Sequence, residues 1–413
     1  MKHTIFRLSL SMLAGPILAG AAFAALAIQP AAAQDVKIGA LNAVTGPIAN
    51  LVPPIIEAEQ FAVKEVNDGG GILGGRKLSL IVGDTQCNAQ AGTDAASKLV
   101  NVNQVVAIVG ALCSGATIGA ASNVAIPADV VMISPASTSP EITTLADKDL
   151  VFRTAPSDAY QGVVLAKYVM AKGIKSVALT YVNNDYGVGL ASAFRDAYLA
   201  EGGKITGDQV HEDKKPSYRA ELATLAAGKP DALVILAYAG TSGVTILRQS
   251  LENDFFSRFV GADGMRDDVL IEQLGADALR DKLLITQPTS LPNPRKDAFD
   301  TAFKAAGGDP SSIFVQQSYD ATMLIALAIE KAGSTDRASI SAALRSIASP
   351  PGIKIGPGEW KKAVAALKRG DDIDYEGAAG SHNFDAAGDV SGVIGEYGIV
   401  GDTFKELGII GLN

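Results

Sequence analysis

In residues 130–142, VVMISPASTSPEI, an apolar run is followed by hydroxyl side chains that could bind a ligand. The run VVMI is typical of a buried strand, whereas Pro135 and Pro140 lack a backbone N–H and keep the next residues from extending a sheet. The same composition also fits an ordinary turn. If a ligand binds here, Ala136 and Thr138 are the candidates to meet it with backbone N–H and hydroxyl groups.

A second set of donors lies in residues 110–117, GALCSGAT, which follow a predicted strand and begin a helix. Ser114 is a natural N-cap, and the free N–H groups at a helix N-terminus attract a carboxylate. Open α/β sheets bind ligands beyond the carboxyl ends of their strands. Two adjacent strand ends would therefore offer hydroxyl and N–H donors to one anion.

Three further candidates follow predicted strands in the second half of the chain. The segment NNDYG contains Tyr186, AYAG contains Tyr238, and ADG contains Asp263. The tyrosines could cover an apolar ligand, and Asp263 could pair with an ammonium group. Each of them, taken singly, is also an ordinary loop residue. Their shared position at strand ends favours a binding site.

The sequence holds no complete catalytic or metal-binding motif. Residues 69–74, GGGILG, match a dinucleotide fingerprint only formally, because a helix precedes them and a strand follows, so they predict a helix end and a turn. His211 and His382 have no partner at zinc-ligand spacing. No cofactor is expected. A pair of Asp or Glu residues acting in a sugar hydrolase stays open as an alternative.

The elements that must position these residues alternate between strand and helix, which predicts parallel sheets covered on both faces. Strands are predicted at 36–41, 77–82, 105–109 and 130–133, then again at 176–182, 204–210, 231–236, 258–261 and 283–286. Helices are predicted near 57–67, 89–102, 188–201, 218–227, 243–253, 296–306, 316–332 and 337–347. The pattern thus predicts two similar α/β units, with the first crossing between them at 153–157.

The last part of the chain carries weaker signals. A proline-rich connection follows residue 286, and an apolar run at 390–400 predicts a further strand. Residues 350–381 are rich in glycine and charge and contain the sole tryptophan, Trp360. We expect this stretch to be an excursion rather than part of the core.

The N-terminus has the order of a secretory signal peptide. Lys2 and Arg7 precede an apolar run at 8–28, and AAA at 31–33 forms a cleavage site, which predicts cleavage after Ala33. An uncleaved membrane anchor is the alternative. The mature chain would carry 33 basic and 44 acidic residues, so a nucleic acid partner is not expected. A chain of that length, residues 34–413, usually forms two domains.

Cys87 and Cys113 are the only cysteines of the chain. In an exported protein such a pair indicates one disulfide. Closing the loop between them would contribute about 3 to 4 kcal/mol by restricting the unfolded chain. A catalytic cysteine is the alternative, and it would need a histidine nearby.

Nearly the whole mature chain resembles the periplasmic leucine/isoleucine/valine-binding proteins, the solute receptors of branched-chain amino acid ABC transporters. The segments that carry the resemblance are 36–40 (VKIGA), 45–47 (TGP), 67–75, 84–87, 112–114 (LCS), 133–141, 185–187 (DYG), 246–248 (ILR), 384–385 (FD) and 388–389 (GD). The order and spacing of these segments are specific when taken together.

The resemblance implies the residues of a ligand site. A ligand carboxylate would meet Ser114, the backbone at Ala136, and Thr138, while Tyr186 and Asp263 would hold the α-amino end. Tyr238 is a looser match, and Leu51 and Phe314 are possible pocket-wall residues. The resemblance also implies a disulfide between Cys87 and Cys113. Residues 350–380 look like an insertion.

The implied fold is α/β, with two doubly wound Rossmann-like lobes joined by a three-strand hinge, the type I periplasmic binding protein fold. One lobe would comprise 34–154 and about 287–378, and the other 155–286 and about 379–413. The implied function is that of a monomeric periplasmic receptor, not an enzyme, which binds a small hydrophobic amino acid and delivers it to a membrane permease. The alternatives are a receptor for another small amide or aromatic acid, for uptake or sensing, and an exported carboxylate-dependent hydrolase.

Overall fold

A computed structural model of the chain describes residues 1, 3–5 and 34–411. The chain divides into residues 1–33 and residues 34–413, and the second unit holds every helix and strand given below. Residues 2 and 6–33, which make up most of the predicted signal peptide and include Ala33 at its cleavage site, lie outside the described residues. Among the residues that the structure describes, no helix is both long and apolar enough to cross a membrane.

The first sheet contains five parallel strands in the order β2-β1-β3-β4-β5. Its strands are β1 (Val36–Asn42), β2 (Leu78–Asp84), β3 (Ile108–Gly110), β4 (Met132–Ser134) and β5 (Val151–Arg153). Successive residues of β3 and β4 enter different hydrophobic clusters, so both faces of the sheet are buried. This explains why its strands are continuous apolar runs rather than alternating ones.

The second sheet has seven strands in the order β14-β13-β10-β9-β8-β6-β7. They are β6 (Ser176–Val182), β7 (Lys204–His211), β8 (Ala232–Leu236), β9 (Phe259–Gly261), β10 (Leu283–Thr289), β13 (Val393–Val400) and β14 (Thr403–Ile409). β13 pairs antiparallel with both β10 and β14, while the other pairs are parallel. Two short parallel strands, β11 (Ile353–Ile355) and β12 (Ile373–Tyr375), form a separate pair.

Helices cover the faces of the two main sheets. Those packed with the first sheet are α1 (Val52–Asp68), α2 (Ala89–Ser97), α3 (Ser114–Ala120), α4 (Pro140–Thr143), α11 (Pro294–Ala305), α12 (Val315–Ala332), α13 (Arg337–Ile347) and α14 (Trp360–Lys368). Those packed with the second are α5 (Asp158–Ala171), α6 (Asp185–Ala200), α7 (Arg219–Ala226), α8 (Val244–Glu252), α9 (Val269–Leu274) and α10 (Ala276–Leu279). We call these two assemblies the first and second lobe.

The chain passes between the lobes three times: after β5, after β10 and before β13. β10 stays in the second sheet as far as Thr289, and the carbonyl of Gly388 accepts a hydrogen bond from the Arg153 N–H of the first lobe. The predicted pair of α/β units joined by a three-strand hinge is confirmed. The residues at which the lobes divide, predicted near 154, 286 and 378, stay a prediction.

The expectation that residues 350–381 lie outside the core is wrong. Trp360 is 1% exposed, and Ile355, Ile373 and Tyr375 are fully buried in the hydrophobic cluster of the first lobe. The indole N–H of Trp360 donates to the carbonyl of Gly71, 3.2 Å away. Most glycines and charged residues of the segment lie in turns or on its outer faces, whereas most of its apolar residues, though not Ile353, are buried.

The remaining differences from the sequence prediction are local. β5 and β14 were not predicted as strands, and α1 begins five residues earlier than expected, where Pro53 and Pro54 occupy first-turn positions that need no N–H donor. Residues 69–76 form the predicted helix end and turn. A disulfide joins Cys87 to Cys113, as the resemblance implied.

Candidate functional site

A narrow cavity lies where the carboxyl ends of strands from both sheets face each other. The space between its lining atoms is about 430 Å³. The centre of a water molecule can occupy about 30 Å³ of that space. Seven of the eight residues predicted for the ligand site line it: Leu51, Ser114, Ala136, Tyr186, Tyr238, Asp263 and Phe314. Sequence reasoning missed other lining residues, among them Ile48, Ile55, Leu112, Gly264 and Ile313.

The first lobe contributes Ser114 from the beginning of α3. The N-cap is Cys113, one residue earlier than predicted, so Ser114 is the first helical residue. Its hydroxyl oxygen accepts a hydrogen bond from the Ser139 N–H at 3.1 Å. This bond ties the loop after β3 to the loop after β4, and the disulfide at Cys113 restrains the same point.

At the end of β4 and in the loop after it, two serine hydroxyls make hydrogen bonds within the first lobe, whereas Ala136 lies at the cavity. Ser134 and Ser137 both donate to the carbonyl of Ala111, at 2.5 and 3.0 Å, and Ser137 also pairs with Thr117 at 2.7 Å. These bonds shape the loop internally. Ala136 is left at the cavity surface, with only a weak contact of its N–H to the Ser134 hydroxyl at 3.4 Å.

Thr138 is the one predicted site residue that is not in the cavity lining. It is 1% exposed, and its carbonyl accepts a hydrogen bond from the Asp158 N–H at 2.7 Å. Within residues 34–411 its hydroxyl has no hydrogen-bond partner. Thr138 therefore lies just behind the cavity, against the beginning of α5.

The second lobe contributes Asp263, which is 5% exposed and begins a short 3₁₀ turn after β9. Its Oδ1 accepts hydrogen bonds from Gln161 Nε2 at 3.0 Å and from the Tyr186 hydroxyl at 3.1 Å. Gly264 N–H donates to the same hydroxyl. A Cβ on Gly264 would lie 2.6 Å from the carbonyl oxygen of Ala237, so this turn requires glycine.

Tyr186 and Tyr238 form a stacked pair at the cavity wall, with ring centroids 5.2 Å apart. Burial, and then the charge of Asp263, raise the pKa of both phenols well above the usual value for tyrosine. Both side chains are therefore neutral at physiological pH. They present apolar ring surface to the cavity.

Asp158 is a buried carboxyl group beside the site that sequence reasoning missed. Neither of its oxygens makes a hydrogen bond of good geometry to any described residue. Burial and then the charge of Asp263 raise its pKa well above the ordinary value, and the nearby Thr138 hydroxyl offsets only part of that rise. Burial also raises the pKa of Asp263 to about 6. The hydrogen bonds that Gln161 and Tyr186 donate to Asp263 lower its pKa relative to that of Asp158, so Asp263 is the carboxyl group of the pair that ionises first as the pH rises.

Asp158 gave no signal in the sequence because an acidic residue in the first turn of a helix is common and favourable on its own. Ser157 caps this helix through the Ala159 N–H, so Asp158 reads as part of an ordinary helix start. Gln161 is equally unremarkable in the sequence. Only the crossing of α5 behind Thr138 brings both side chains to Asp263.

The rest of the cavity wall is apolar. Leu51 ends a short 3₁₀ turn before α1, and Phe314 precedes α12 in a left-handed conformation, with φ 62°. Of the described residues that line the cavity, none is Lys or Arg. The cavity thus has an acidic end on the second lobe, a hydroxyl and N–H end on the first, and apolar walls between. This arrangement is complementary to a small molecule that carries a cation and an apolar group.

Comparison with known proteins agrees with this architecture. A family model described as "Periplasmic binding protein" matches residues 35–365. A leucine-, isoleucine-, valine-, threonine- and alanine-binding protein of Pseudomonas aeruginosa is 30% identical over 80% of this chain and 87% of its own. The crystal structure of a leucine-binding protein from Thermotoga maritima is 25% identical, with a TM-score of 0.77, and covers 91% of this chain and 99% of its own. The crystal structure of an ABC transporter substrate-binding protein of Desulfitobacterium hafniense, complexed with Leu, is 28% identical, with a TM-score of 0.69, and covers 90% of this chain and 100% of its own.

Proposed function

This chain belongs to the periplasmic binding protein family, and we propose that it binds one small hydrophobic α-amino acid, such as leucine, isoleucine or valine, between its two lobes. We propose further that it works in the periplasm and delivers the amino acid to the membrane permease of an ABC transporter. The family is one of binding proteins, which supports a role without catalysis.

One observation carries the proposal: the buried carboxyl group of Asp263 faces hydroxyl and N–H donors across a small apolar cavity. A buried charge without a counter-ion is costly, and an ammonium group would remove that cost. The α-carboxylate would then meet Ser114 and the backbone at Ala136, with Thr138 just behind them. The cavity leaves room for very little water, so these few polar contacts count strongly.

The apolar walls supply the side-chain site in this proposal. Leu51 and Phe314 would contact the ligand side chain, and the stacked Tyr186 and Tyr238 would close over its α-carbon end. A site of this size suits aliphatic side chains better than long or charged ones. Its mixture of apolar wall and few polar groups is typical of small-molecule pockets.

Isothermal titration of the purified mature chain tests the proposal. Leucine, isoleucine and valine should bind, whereas isoamylamine, which lacks the carboxylate, and 4-methylpentanoate, which lacks the ammonium group, should bind far more weakly. Asp263→Ala should remove binding. Asp267→Asn is a matched control, because Asp267 is also buried beside the site but does not line the cavity.

The other outcomes identify the alternatives. Binding of benzoate or 4-methylpentanoate without any amino acid would refute the ammonium contact and favour a receptor for aromatic or aliphatic acids. Chemical change of the bound compound, followed by mass spectrometry, would instead revive a hydrolase that uses Asp158 and Asp263 as its carboxylate pair.

A further inference from the structure

Three glycines lie where the lobes approach each other beside the cavity: Gly240, on which a Cβ would lie 2.7 Å from the carbonyl oxygen of Pro47, and two that lie in helices. Gly115 of α3 faces Asp185 of α6: a Cβ on Gly115 would lie 2.5 Å from Asp185 Oδ2. One turn further along α6, a Cβ on Gly189 would lie 2.8 Å from Pro140 Cδ and 3.1 Å from the Ser139 hydroxyl oxygen. Both helix contacts join the first lobe to the second, and a methyl group at either glycine would require its neighbour to move.

Each contact is next in sequence to a predicted ligand residue. Gly115 follows Ser114, and Asp185 precedes Tyr186. In the same lobe as Gly115, Ser139 follows Thr138 directly. The Ser139 N–H also donates to the Ser114 hydroxyl, so the two contact points of the first lobe move together. The distance between the lobes at these glycines therefore fixes the distance between the two ends of the cavity.

From this placement we infer that Gly189 and Gly115 set how closely the lobes approach and so position Tyr186 and Asp263 against Ser114 in the ligand complex. The inference rests on the proposed function, since it assumes a ligand held by both lobes. Gly189 is the more sensitive position. The atom that a Cβ would meet belongs to the rigid ring of Pro140, whereas the Asp185 carboxylate opposite Gly115 can rotate away.

Gly189→Ala separates closure from folding because the two effects have opposite signs. Gly189 is the fifth residue of α6, and alanine is the better helix former there. The Tm of the ligand-free variant should be equal to or above that of the wild type. Its affinity for leucine should fall roughly 5- to 150-fold, the range expected when a closed interface must accept an extra methyl group.

The control is Ser192→Ala, an exposed position on the same helix that adds no atom. Its affinity should stay within twofold of the wild type. In a second test, Gly115→Ala should weaken binding, and the loss should shrink when Asp185 is also replaced by Ala, because the opposing carboxylate is then gone. Small-angle scattering with saturating leucine should show less compaction for Gly189→Ala than for the wild type.

Wild-type affinity for Gly189→Ala would overturn the inference, and so would weaker binding with full compaction, because the loss would then not come from closure. Failure of the proposed function gives a different result: the wild-type protein itself would bind none of the amino acids. In that case the affinities of Gly189→Ala and Ser192→Ala are measured for the compound of the titration panel that does bind the wild type, and the same criteria apply.

Discussion

Replacing Asp263 with Asn should make the ligand-free protein more stable and, at the same time, insensitive to its ligand. Asp263 is buried, and its carboxylate is held by Gln161 and Tyr186 without a cation. The amide oxygen of Asn can accept both of these hydrogen bonds. The substitution therefore removes the buried charge and keeps the local geometry.

The size of the effect follows from the pKa of Asp263, which burial raises from 3.8 to about 6. Because the folded-state pKa is the higher one, the folded protein loses stability as pH rises from about 4 to about 6, and the loss is complete above that. At 1.36 kcal/mol per pH unit this amounts to roughly 3 kcal/mol. Asp263→Asn should thus match the wild type near pH 4 and exceed it by roughly 3 kcal/mol at pH 7.5.

Urea unfolding at both pH values, with and without leucine, measures this difference. Leucine at one hundred times its dissociation constant should stabilise the wild type by about 2.7 kcal/mol and leave Asp263→Asn unchanged.

Asp267→Asn is the control for the charge effect. Burial also raises the pKa of Asp267, so its replacement should raise stability at pH 7.5, but this variant should keep the full response to leucine. Two results would refute the reasoning: an Asp263→Asn protein that is less stable than the wild type at pH 7.5, or one that leucine still stabilises.

Two further predictions concern buried charges away from the cavity. Burial raises the pKa of Glu59, next to Asn42, from 4.5 to about 8. Between pH 6 and pH 8 the free energy of unfolding of the wild type should therefore fall by about 2 to 3 kcal/mol more than that of Glu59→Gln. Equal falls in urea unfolding would contradict this. Arg153 is fully buried and binds Asp389 through two hydrogen bonds of 2.7 and 2.6 Å. Arg153→Met should lower the free energy of unfolding in urea by about 3 to 5 kcal/mol, because it leaves the charge of Asp389 unpaired. Adding Asp389→Asn should recover part of this loss. No recovery would argue against the charge as the cause.

The central strands β3, β4, β8 and β9 were predictable because each lies in a short, largely apolar run. A run such as 232–236 is buried on both faces, and a segment of that kind has few alternatives to a central parallel strand. The position of the site followed from the same regularity, since ligands bind beyond strand ends. Seven predicted residues from separate loops line one cavity for this reason.

Residues that depend on one particular packing contact could not be predicted. Trp360 lies in a stretch whose composition is polar, and it is buried only because α14 packs against the turn at Gly69 and Gly71. Asp158 is likewise ordinary in sequence. Its raised pKa arises first from burial, which the sequence does not record, and then from the charge of Asp263, more than a hundred residues further along the chain.

The two lobes hold complementary and individually unfavourable halves of the site. The second lobe carries the buried carboxylate of Asp263, and behind the first lobe's wall lies the Thr138 hydroxyl, which has no hydrogen-bond partner in the described part of the chain. A ligand that carries both charges would relieve both halves only when the lobes are close enough to reach it together. Affinity in such a site depends on the distance of approach as much as on the contacting groups. The absence of a side chain at Gly189 therefore matters to binding although this residue does not line the cavity.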